Sequence, residues 1–254
     1  MNQRWNDIPY TSEAGERNKG DFTMPAGHCR GCVLLIHGGG WITFAKERMT
    51  GIAEFLAEHG CASFSINYPF ISTHPWPACG DACLAAGRFI QRGGLDQFAD
   101  LSTKPLFVLG ASAGAHLALM TGMRMGGIAG IASIAGISDL QALSELNWFT
   151  SIVPDFFGME RPENADWRDA SPLSFVQPGL PPLFLSHDHN DEVVPFSQAE
   201  ELAAKVAASG NEVDFYAYHG PGHLMWVDLE AESLRLLPGI EQRLLTFIER
   251  CMVR

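Results

Sequence analysis

Six short apolar segments, separated by stretches with helical periodicity, constrain the fold of this chain more than any other feature. They are GCVLLIH (31–37), CASFSINY (61–68), PLFVLGA (105–111), GIASIAG (130–136), PPLFLSHD (181–188) and VDFYAYH (213–219). Several of them are continuously apolar rather than alternating, which is typical of parallel strands buried on both faces. The segments therefore predict a mostly parallel sheet in the interior of the protein.

Helical patterns fill the intervals between these strands. The predicted helices cover residues 46–60, 77–93, 113–125 and 195–210. A final helix is expected to begin at Pro238, since proline is favoured in the first helical turn. Repeated alternation of strand and helix predicts an α/β fold with a doubly wound sheet and helices on both faces. Residues 1–25 are expected to add an antiparallel edge, and the absence of repeats and long linkers favours a single domain over residues 1–254.

Residues 139–180 interrupt this alternation with a long connection rich in Trp, Phe and Pro. Connections of this length in a compact domain usually carry functional residues or cover a site. We interpret the segment as a lid or pocket wall. A surface excursion that packs on itself is the alternative.

The motif GASAG, residues 110–114, lies between a predicted strand and a predicted helix. G-x-S-x-G in this context is typical of a nucleophile elbow, in which a tight turn exposes one serine hydroxyl. Gly110 and Gly114 would remove the side chains that clash with such a turn. The motif therefore indicates nucleophilic catalysis by Ser112.

A serine nucleophile needs a histidine base and an acid that orients the base, and in this kind of fold they follow the serine as acid and then histidine. The loop after residues 181–188 offers Asp188 and Asp191, and the loop after residues 213–219 offers His219 and His223. Both loops follow strand ends, where open α/β sheets place their active sites. Spacing favours Asp191 and His223 and leaves the other two open.

The amino-acid composition limits the kinds of molecule that this protein is expected to bind. The chain has 254 residues, of which 46% are hydrophobic, and a formal net charge of −12. An acidic chain without clustered positive charge argues against nucleic acid and anionic membranes as partners. The first ten residues lack the apolar core of a signal peptide and no apolar run is long enough to span a bilayer, so we expect a cytoplasmic protein with its six cysteines reduced.

Taken together, the motifs resemble those of α/β-hydrolases of the BD-FAE-like and hormone-sensitive-lipase-like esterase group, which includes kynurenine formamidases. The matching stretches are HGGGW (37–41), GASAG (110–114), NDEVVP (190–195) and GPGH (220–223). No arginine follows the tyrosine of NYP (67–69), and the long N-terminal helical cap of the lipase branch is absent. The chain therefore resembles the BD-FAE or arylformamidase type, with a small cap or none.

The resemblance implies roles for individual residues. The acid would be Asp191 and the base His223, and the backbone N–H groups of Gly39, Gly40 and Ala113 would form the oxyanion hole. His37 would be structural, bracing the glycine turn rather than reacting.

The expected function is cleavage of small carboxylic esters through an acyl-enzyme, with a small-molecule substrate and no metal or organic cofactor. Trp41 and Trp226 are predicted to contact the substrate, and four more aromatic residues are candidates for the pocket wall: Trp148, Phe149, Phe156 and Phe157. Arylformamidase activity uses the same machinery and is the alternative. A non-catalytic binding protein is disfavoured because serine, acid and histidine are all present, and the sequence is compatible with a homodimer.

Overall fold

The computed structural model describes residues 2–12, 15–223 and 235–253. Within these ranges the chain forms an eight-stranded sheet. The strands are β1 (Gln3–Pro9), β2 (Lys19–Met24), β3 (Gly31–Ile36), β4 (Cys61–Ile66), β5 (Leu106–Ala111), β6 (Ile128–Ile134), β7 (Leu183–Asp188) and β8 (Val213–Tyr218). Their order across the sheet is β1-β2-β4-β3-β5-β6-β7-β8.

Strands β3 to β8 run parallel to one another, whereas β1 pairs antiparallel with β2 and β2 pairs antiparallel with β4 at one edge. This confirms the mostly parallel sheet and the antiparallel edge predicted for residues 1–25. The predicted strand at 61–68 extends two residues too far, because the strand ends at Ile66 while the apolar pattern continues to the fully buried Tyr68. The chain stays buried for two residues beyond the last residue of the strand, so the apolar pattern alone does not show where the strand ends.

Helices alternate with the strands as predicted. They are α1 (Thr50–Glu58), α2 (Ala78–Gln91), α3 (Ala113–Arg124), α4 (Leu140–Leu143), α5 (Asn147–Thr150), α6 (Val153–Phe157), α7 (Asn164–Ala170), α8 (Ser197–Ala208) and α9 (Pro238–Met252). The helix predicted from residue 46 begins as a 3₁₀ turn over Lys46–Met49 before α1. None of the helices in the described ranges has the length and apolarity needed to cross a bilayer.

The sheet is covered by helices on both faces. Helices α2, α3 and α8 pack on one face, and α1 and α9 pack on the other. Strand β3 shows why its sequence is continuously apolar, since Leu34 and Ile36 join the first core while Val33 and Leu35 join the second. All four side chains are fully buried. A strand between two helical layers has no solvent-facing side, so no polar alternation appears in its sequence.

Residues 139–180 form short helices α4 to α7 and a 3₁₀ turn over Pro172–Phe175. The Asp139 side chain caps α4 by accepting hydrogen bonds from the N–H groups of Gln141 and Ala142. Phe149 and Phe156 anchor the segment in the core on the α3 side of the sheet, where both are fully buried. The segment is therefore anchored to the domain at these buried side chains.

The contact between α3 and β3 depends on Gly114. A Cβ atom there would overlap the carbonyl oxygens of Ile36 and His37. We expect Gly114→Ala to lower the free energy of unfolding by about 1–3 kcal/mol, because the added methyl group pushes the helix off the strand. Urea unfolding followed by circular dichroism measures the change.

Gly27→Ala is the matched control, since a Cβ at Gly27 meets no atom within 4 Å. Its free energy of unfolding should stay within about 0.5 kcal/mol of the parent value. Equal stabilities of the two variants would contradict the steric role of Gly114.

Candidate active site

The turn between β5 and α3 carries Ser112. Strand β5 ends at Ala111 and α3 begins at Ala113, so a single residue makes the connection. Ser112 has φ 55° and ψ −125°, a conformation that a non-glycine residue keeps only when its surroundings enforce it. Its N–H donates to the carbonyl oxygen of Ile134 at 2.9 Å, which ties the turn to β6. The serine is thus held beyond the end of the strand in the geometry of a nucleophile elbow.

His223 reaches Ser112 from the loop that follows β8. Its Nε2 lies 3.0 Å from Ser112 Oγ, and its Nδ1 lies 2.8 Å from Asp191 Oδ2. An ionised carboxylate only accepts hydrogen bonds, so Nδ1 donates to Asp191 and Nε2 accepts from the serine hydroxyl. The structure therefore brings these three sequence-predicted residues into one hydrogen-bonded chain.

The Asp191 side chain is fully buried and is held as a carboxylate. Its Oδ1 accepts hydrogen bonds from the backbone N–H groups of Val193 at 2.9 Å and Val194 at 2.8 Å. Burial by itself raises the pKa of Asp191, but the hydrogen bonds from His187, His223 and the backbone outweigh it and hold the pKa well below its usual range. Asp191 therefore presents a fixed negative charge to the imidazole of His223.

His187 is a site residue that sequence reasoning missed. It lies fully buried in β7, with Nε2 2.9 Å from the carbonyl oxygen of Val194 and 3.4 Å from Asp191 Oδ2. Both neighbours are acceptors, so Nε2 carries the proton. The sequence shows only that His187 precedes Asp191 by four residues. This spacing implies a contact within a helix, but it implies none between a strand residue and a residue of the loop that follows. His187 adds a second imidazole donor to the Asp191 carboxylate.

Asp188, the alternative acid, binds backbone instead. Its Oδ1 accepts hydrogen bonds from the N–H groups of Asn190 at 2.9 Å and Gly220 at 3.0 Å, and its Oδ2 accepts from Gly222 at 2.8 Å. Burial raises its pKa, but these three donors outweigh burial and lower it from the ordinary value. Asp188 therefore joins the loop that carries Asp191 to the residues immediately before His223.

The other candidate base, His219, lies at the exposed end of β8 and stacks on His189 with ring centroids 4.4 Å apart. Of the two predicted pairs, Asp191 and His223 are therefore the acid and histidine that meet, as spacing and resemblance both favoured.

The glycine loop after β3 lies beside Ser112. Gly39 and Gly40 have φ values of 104° and 56°, both in the left-handed region, and a Cβ on Gly39 would overlap the carbonyl oxygen of Thr43. Ala113 is the first residue of α3, so its N–H has no partner within the helix. These three residues line the same cavity as Ser112. Their placement fits backbone donors that face the serine.

His37 is buried behind this loop. Its Nδ1 lies 2.7 Å from the carbonyl oxygen of Gly38, and its Nε2 lies 3.1 Å from a guanidinium nitrogen of Arg17. Because arginine only donates, Nε2 accepts and Nδ1 donates. Burial lowers the pKa of His37 to about 3, and the ring stacks on Tyr68 at 4.4 Å. His37 is thus a neutral ring that braces the turn, in line with the structural role expected for it.

A cavity of about 250 Å³ opens at Ser112. Most of its walls are backbone glycine or apolar side chain. Its lining within the described residues comprises Gly38, Gly39, Gly40, Phe44, Arg48, Met49, Ser112, Ala113, Ile137, Trp148, Val193 and His223. The lining combines the serine, its histidine and the glycine loop in one space.

The predicted substrate contacts need correction at Trp41. Its side chain is fully buried, and its Nε1 donates to His116 Nδ1 at 3.3 Å, so it packs in the core and not on the cavity surface. Trp226 lies outside the described residues. Trp148 does line the cavity, fixed by a 3.0 Å hydrogen bond from Nε1 to the carbonyl oxygen of Val193. The other aromatic candidates are buried core residues: Phe149, Phe156 and Phe157.

Comparison with known families identifies the family of the chain. The sequence model of the BD-FAE family matches residues 21–206. The chain belongs to the BD-FAE family. The matched range contains the glycine loop, Ser112 and Asp191 and ends before His223, which this BD-FAE member supplies from the loop after β8.

The individual relatives have low sequence identity to this chain. Esterase LipQ of Mycobacterium tuberculosis (strain ATCC 25618 / H37Rv) is 26% identical in an alignment 235 residues long that covers 83% of this chain and 54% of LipQ. The chain spans about half the length of the curated relatives that it matches.

Solved structures share the fold at lower identity. A truncated carbohydrate esterase from gut microbiota superimposes with a TM-score of 0.84 at 18% identity, over 99% of this chain and 97% of that one. Esterase B from Lactobacillus rhamnosis, in a structure with a tributyrin phosphonate, gives 0.82 at 18% identity over 99% and 86%. The predicted α/β-hydrolase fold is therefore confirmed.

The three backbone hydrogen bonds of Asp188 make a testable contribution to stability. We expect Asp188→Asn to lower the free energy of unfolding at pH 7 by about 1–3 kcal/mol, because an amide cannot accept at both ends. The pKa of Asp188 is lower in the folded protein than its unfolded value of about 3.9. Its contribution is therefore full above about pH 4 and disappears as the pH falls through the folded-state pKa.

Urea unfolding of the parent protein and of Asp188→Asn between pH 7 and pH 3 measures this contribution. The difference between the two should narrow below about pH 4. Asp100→Asn, at an exposed carboxylate, is the control and should show no such difference at any pH. If the difference in free energy of unfolding between the parent protein and Asp188→Asn does not change with pH, the assigned role of Asp188 is wrong.

Proposed function

We propose that this protein is a serine hydrolase that cleaves small carboxylic esters through an acyl-enzyme on Ser112. The observation that carries the proposal is the continuous chain of hydrogen bonds from Asp191 through His223 to Ser112 Oγ, with distances of 2.8 and 3.0 Å. This chain ends in a cavity whose walls are mostly glycine backbone and apolar side chains. A nucleophile, a base and an orienting acid in this geometry suit acyl transfer.

In the first half of the proposed reaction, Ser112 Oγ attacks the carbonyl carbon of the ester. His223 Nε2 takes the hydroxyl proton as the bond forms, and the Asp191 carboxylate stabilises the imidazolium that results. Collapse of the tetrahedral intermediate breaks the bond to the alkoxy oxygen. The alcohol leaves with the proton that His223 returns to it, and the acyl group stays on Ser112.

The second half repeats these steps with water. His223 removes a proton from water, the hydroxide oxygen attacks the acyl carbon, and the carboxylic acid departs as Ser112 regains its proton. In both halves the carbonyl oxygen becomes negatively charged in the tetrahedral intermediate and needs hydrogen-bond donors to stabilise it. We assign that role to the N–H groups of Gly39, Gly40 and Ala113, which line the cavity beside Ser112.

The size of the cavity supports a small substrate. Its volume of about 250 Å³ lies below the range of about 300–1,000 Å³ that is usual for ligand sites. The side chains of Met49, Ile137 and Val193 offer apolar contact to a short acyl or alkoxy group. The names of LipQ and of both structural neighbours, each called an esterase, agree with this chemistry.

Replacement of the nucleophile tests the proposal. We expect Ser112→Ala to lower kcat for p-nitrophenyl acetate by about 10⁶-fold, because the acyl-enzyme cannot form. Steady-state assays measure the rate, and circular dichroism should show an unchanged fold. Ser102→Ala, at an exposed serine away from the cavity, is the control and should retain full activity.

Two further outcomes separate the alternatives. A fluorophosphonate probe should label the parent protein and spare Ser112→Ala, and failure to label either would favour a binding protein without hydrolase activity. A kcat/KM for N-formylkynurenine above that for every ester of an acetyl-to-octanoyl series would overturn the assignment to esters in favour of arylformamidase activity.

The two aspartates should respond differently to the same substitution. We expect Asp191→Asn to lower kcat for p-nitrophenyl acetate by about 10⁴-fold, because an amide next to His223 Nδ1 favours the wrong imidazole tautomer. Asp188→Asn is the matched comparison and should lower kcat far less, since the hydrogen bonds that Asp188 accepts within the described ranges all come from backbone N–H groups. A larger loss in Asp188→Asn than in Asp191→Asn would reverse the assignment of the acid.

A further inference from the structure

Arg48 brings a positive charge into the wall of the cavity. It lies in the 3₁₀ turn Lys46–Met49, which follows the glycine loop, and its side chain is half-buried. Among the described residues that line the cavity, Arg48 is the one that carries a permanent charge. The net charge of the whole chain is −12, so a cation at this position runs against the general electrostatics of the protein.

No carboxylate in the described ranges neutralises this guanidinium. The neighbouring acid, Glu47, instead pairs with Lys46 Nζ at 2.8 Å, and Lys46 also binds Asp21 at 2.7 Å. The Arg48 guanidinium lies over an aromatic ring instead, with its Cζ 4.5 Å from the ring centroid of Phe44. A half-buried charge without a counter-ion gains most from an anion that a ligand supplies.

Phe44 is itself held in place. It has φ 67°, in the left-handed region, and its carbonyl oxygen accepts a hydrogen bond from Arg17 at 3.2 Å. The residue is 48% exposed and lines the cavity together with Arg48. A cation held over an aromatic ring uses the π face of that ring and not a hydrogen-bond acceptor. The contact with Phe44 therefore leaves the N–H donors of Arg48 available to a planar anion such as a carboxylate.

We propose that Arg48 forms an anion subsite and that the preferred substrates are esters that carry a carboxylate group. This inference rests on the proposed function, since it names a substrate class for the same cavity. Arg48 and Ser112 line one small space, so an ester bound at Ser112 can place a charged end against the guanidinium. Arg48 is then a specificity-determining residue that contacts the substrate away from the reacting bond.

Two matched substrate pairs test the proposal and locate the anion. Monomethyl glutarate and dimethyl glutarate differ by a carboxylate on the acyl part, and acetoxyacetate and methyl acetoxyacetate differ by a carboxylate on the alcohol part. Methanol release is measured for the first pair and acetate release for the second. The quantity compared is the ratio of kcat/KM for the anionic ester to that for its neutral twin.

We expect Arg48→Gln to lower this ratio at least about 10-fold for one of the two pairs, as loss of a charge-assisted hydrogen bond implies. Arg48→Lys should retain part of the preference, since it keeps the charge without the planar donors. Arg243→Gln is the matched control, because Arg243 is exposed on α9 and stacks on Tyr216 at 4.7 Å, away from the cavity. It removes the same charge and should leave the ratio unchanged.

The possible failures are distinguishable. If the parent protein hydrolyses neither member of either pair nor p-nitrophenyl acetate, the proposed function is wrong. If it hydrolyses the neutral esters but the ratio is the same in the parent protein, Arg48→Gln and Arg48→Lys for both pairs, the anion subsite alone is wrong. An equal fall of the ratio in Arg243→Gln would attribute the preference to overall charge and would also overturn the subsite.

Discussion

The close approach of the β5–α3 turn to the end of β3 is the contact on which the rest of the site depends. Gly110 and Gly114 leave room for backbone against backbone, and any side chain at Gly114 would meet the carbonyl oxygens of Ile36 and His37. Those two residues lead directly into the glycine loop. One steric constraint therefore sets both the position of Ser112 beyond the end of β5 and its placement beside the N–H groups that we assign to the oxyanion.

Two buried carboxylates organise the opposite side of the site, and their roles differ. Asp191 accepts hydrogen bonds from His223 and from the backbone at Val193 and Val194, whereas the donors to Asp188 in the described part of the chain are all backbone N–H groups. The negative charge of Asp191 raises the pKa of Asp188, and the hydrogen bonds that Asp188 accepts from backbone N–H groups lower it by more. A short loop can thus hold two ionised groups when each has its own set of N–H partners.

The arrangement also shows how far local sequence patterns reach. Strands and helices followed from apolar periodicity, with errors at strand ends where burial continues past the hydrogen-bonded ladder, as at Tyr68. Ser112 followed from its motif because the elbow is a local structure of five residues. Trp41 was predicted to contact the substrate but lies in the core. The sequence could not separate the two positions, because core residues and pocket-lining residues are both apolar.

The sequence by itself determined the alternation of strands and helices, the position of the nucleophile turn and the two pairs from which acid and histidine had to come. These depend on short-range sterics and on hydrophobic periodicity, which nearby residues encode. Only the tertiary structure decided that Asp191 meets His223, that Asp188 and His187 support the loop and the carboxylate, and that Arg48 lines the cavity. Those contacts join loops from different strands, and the packing of the sheet sets distances that no local pattern contains.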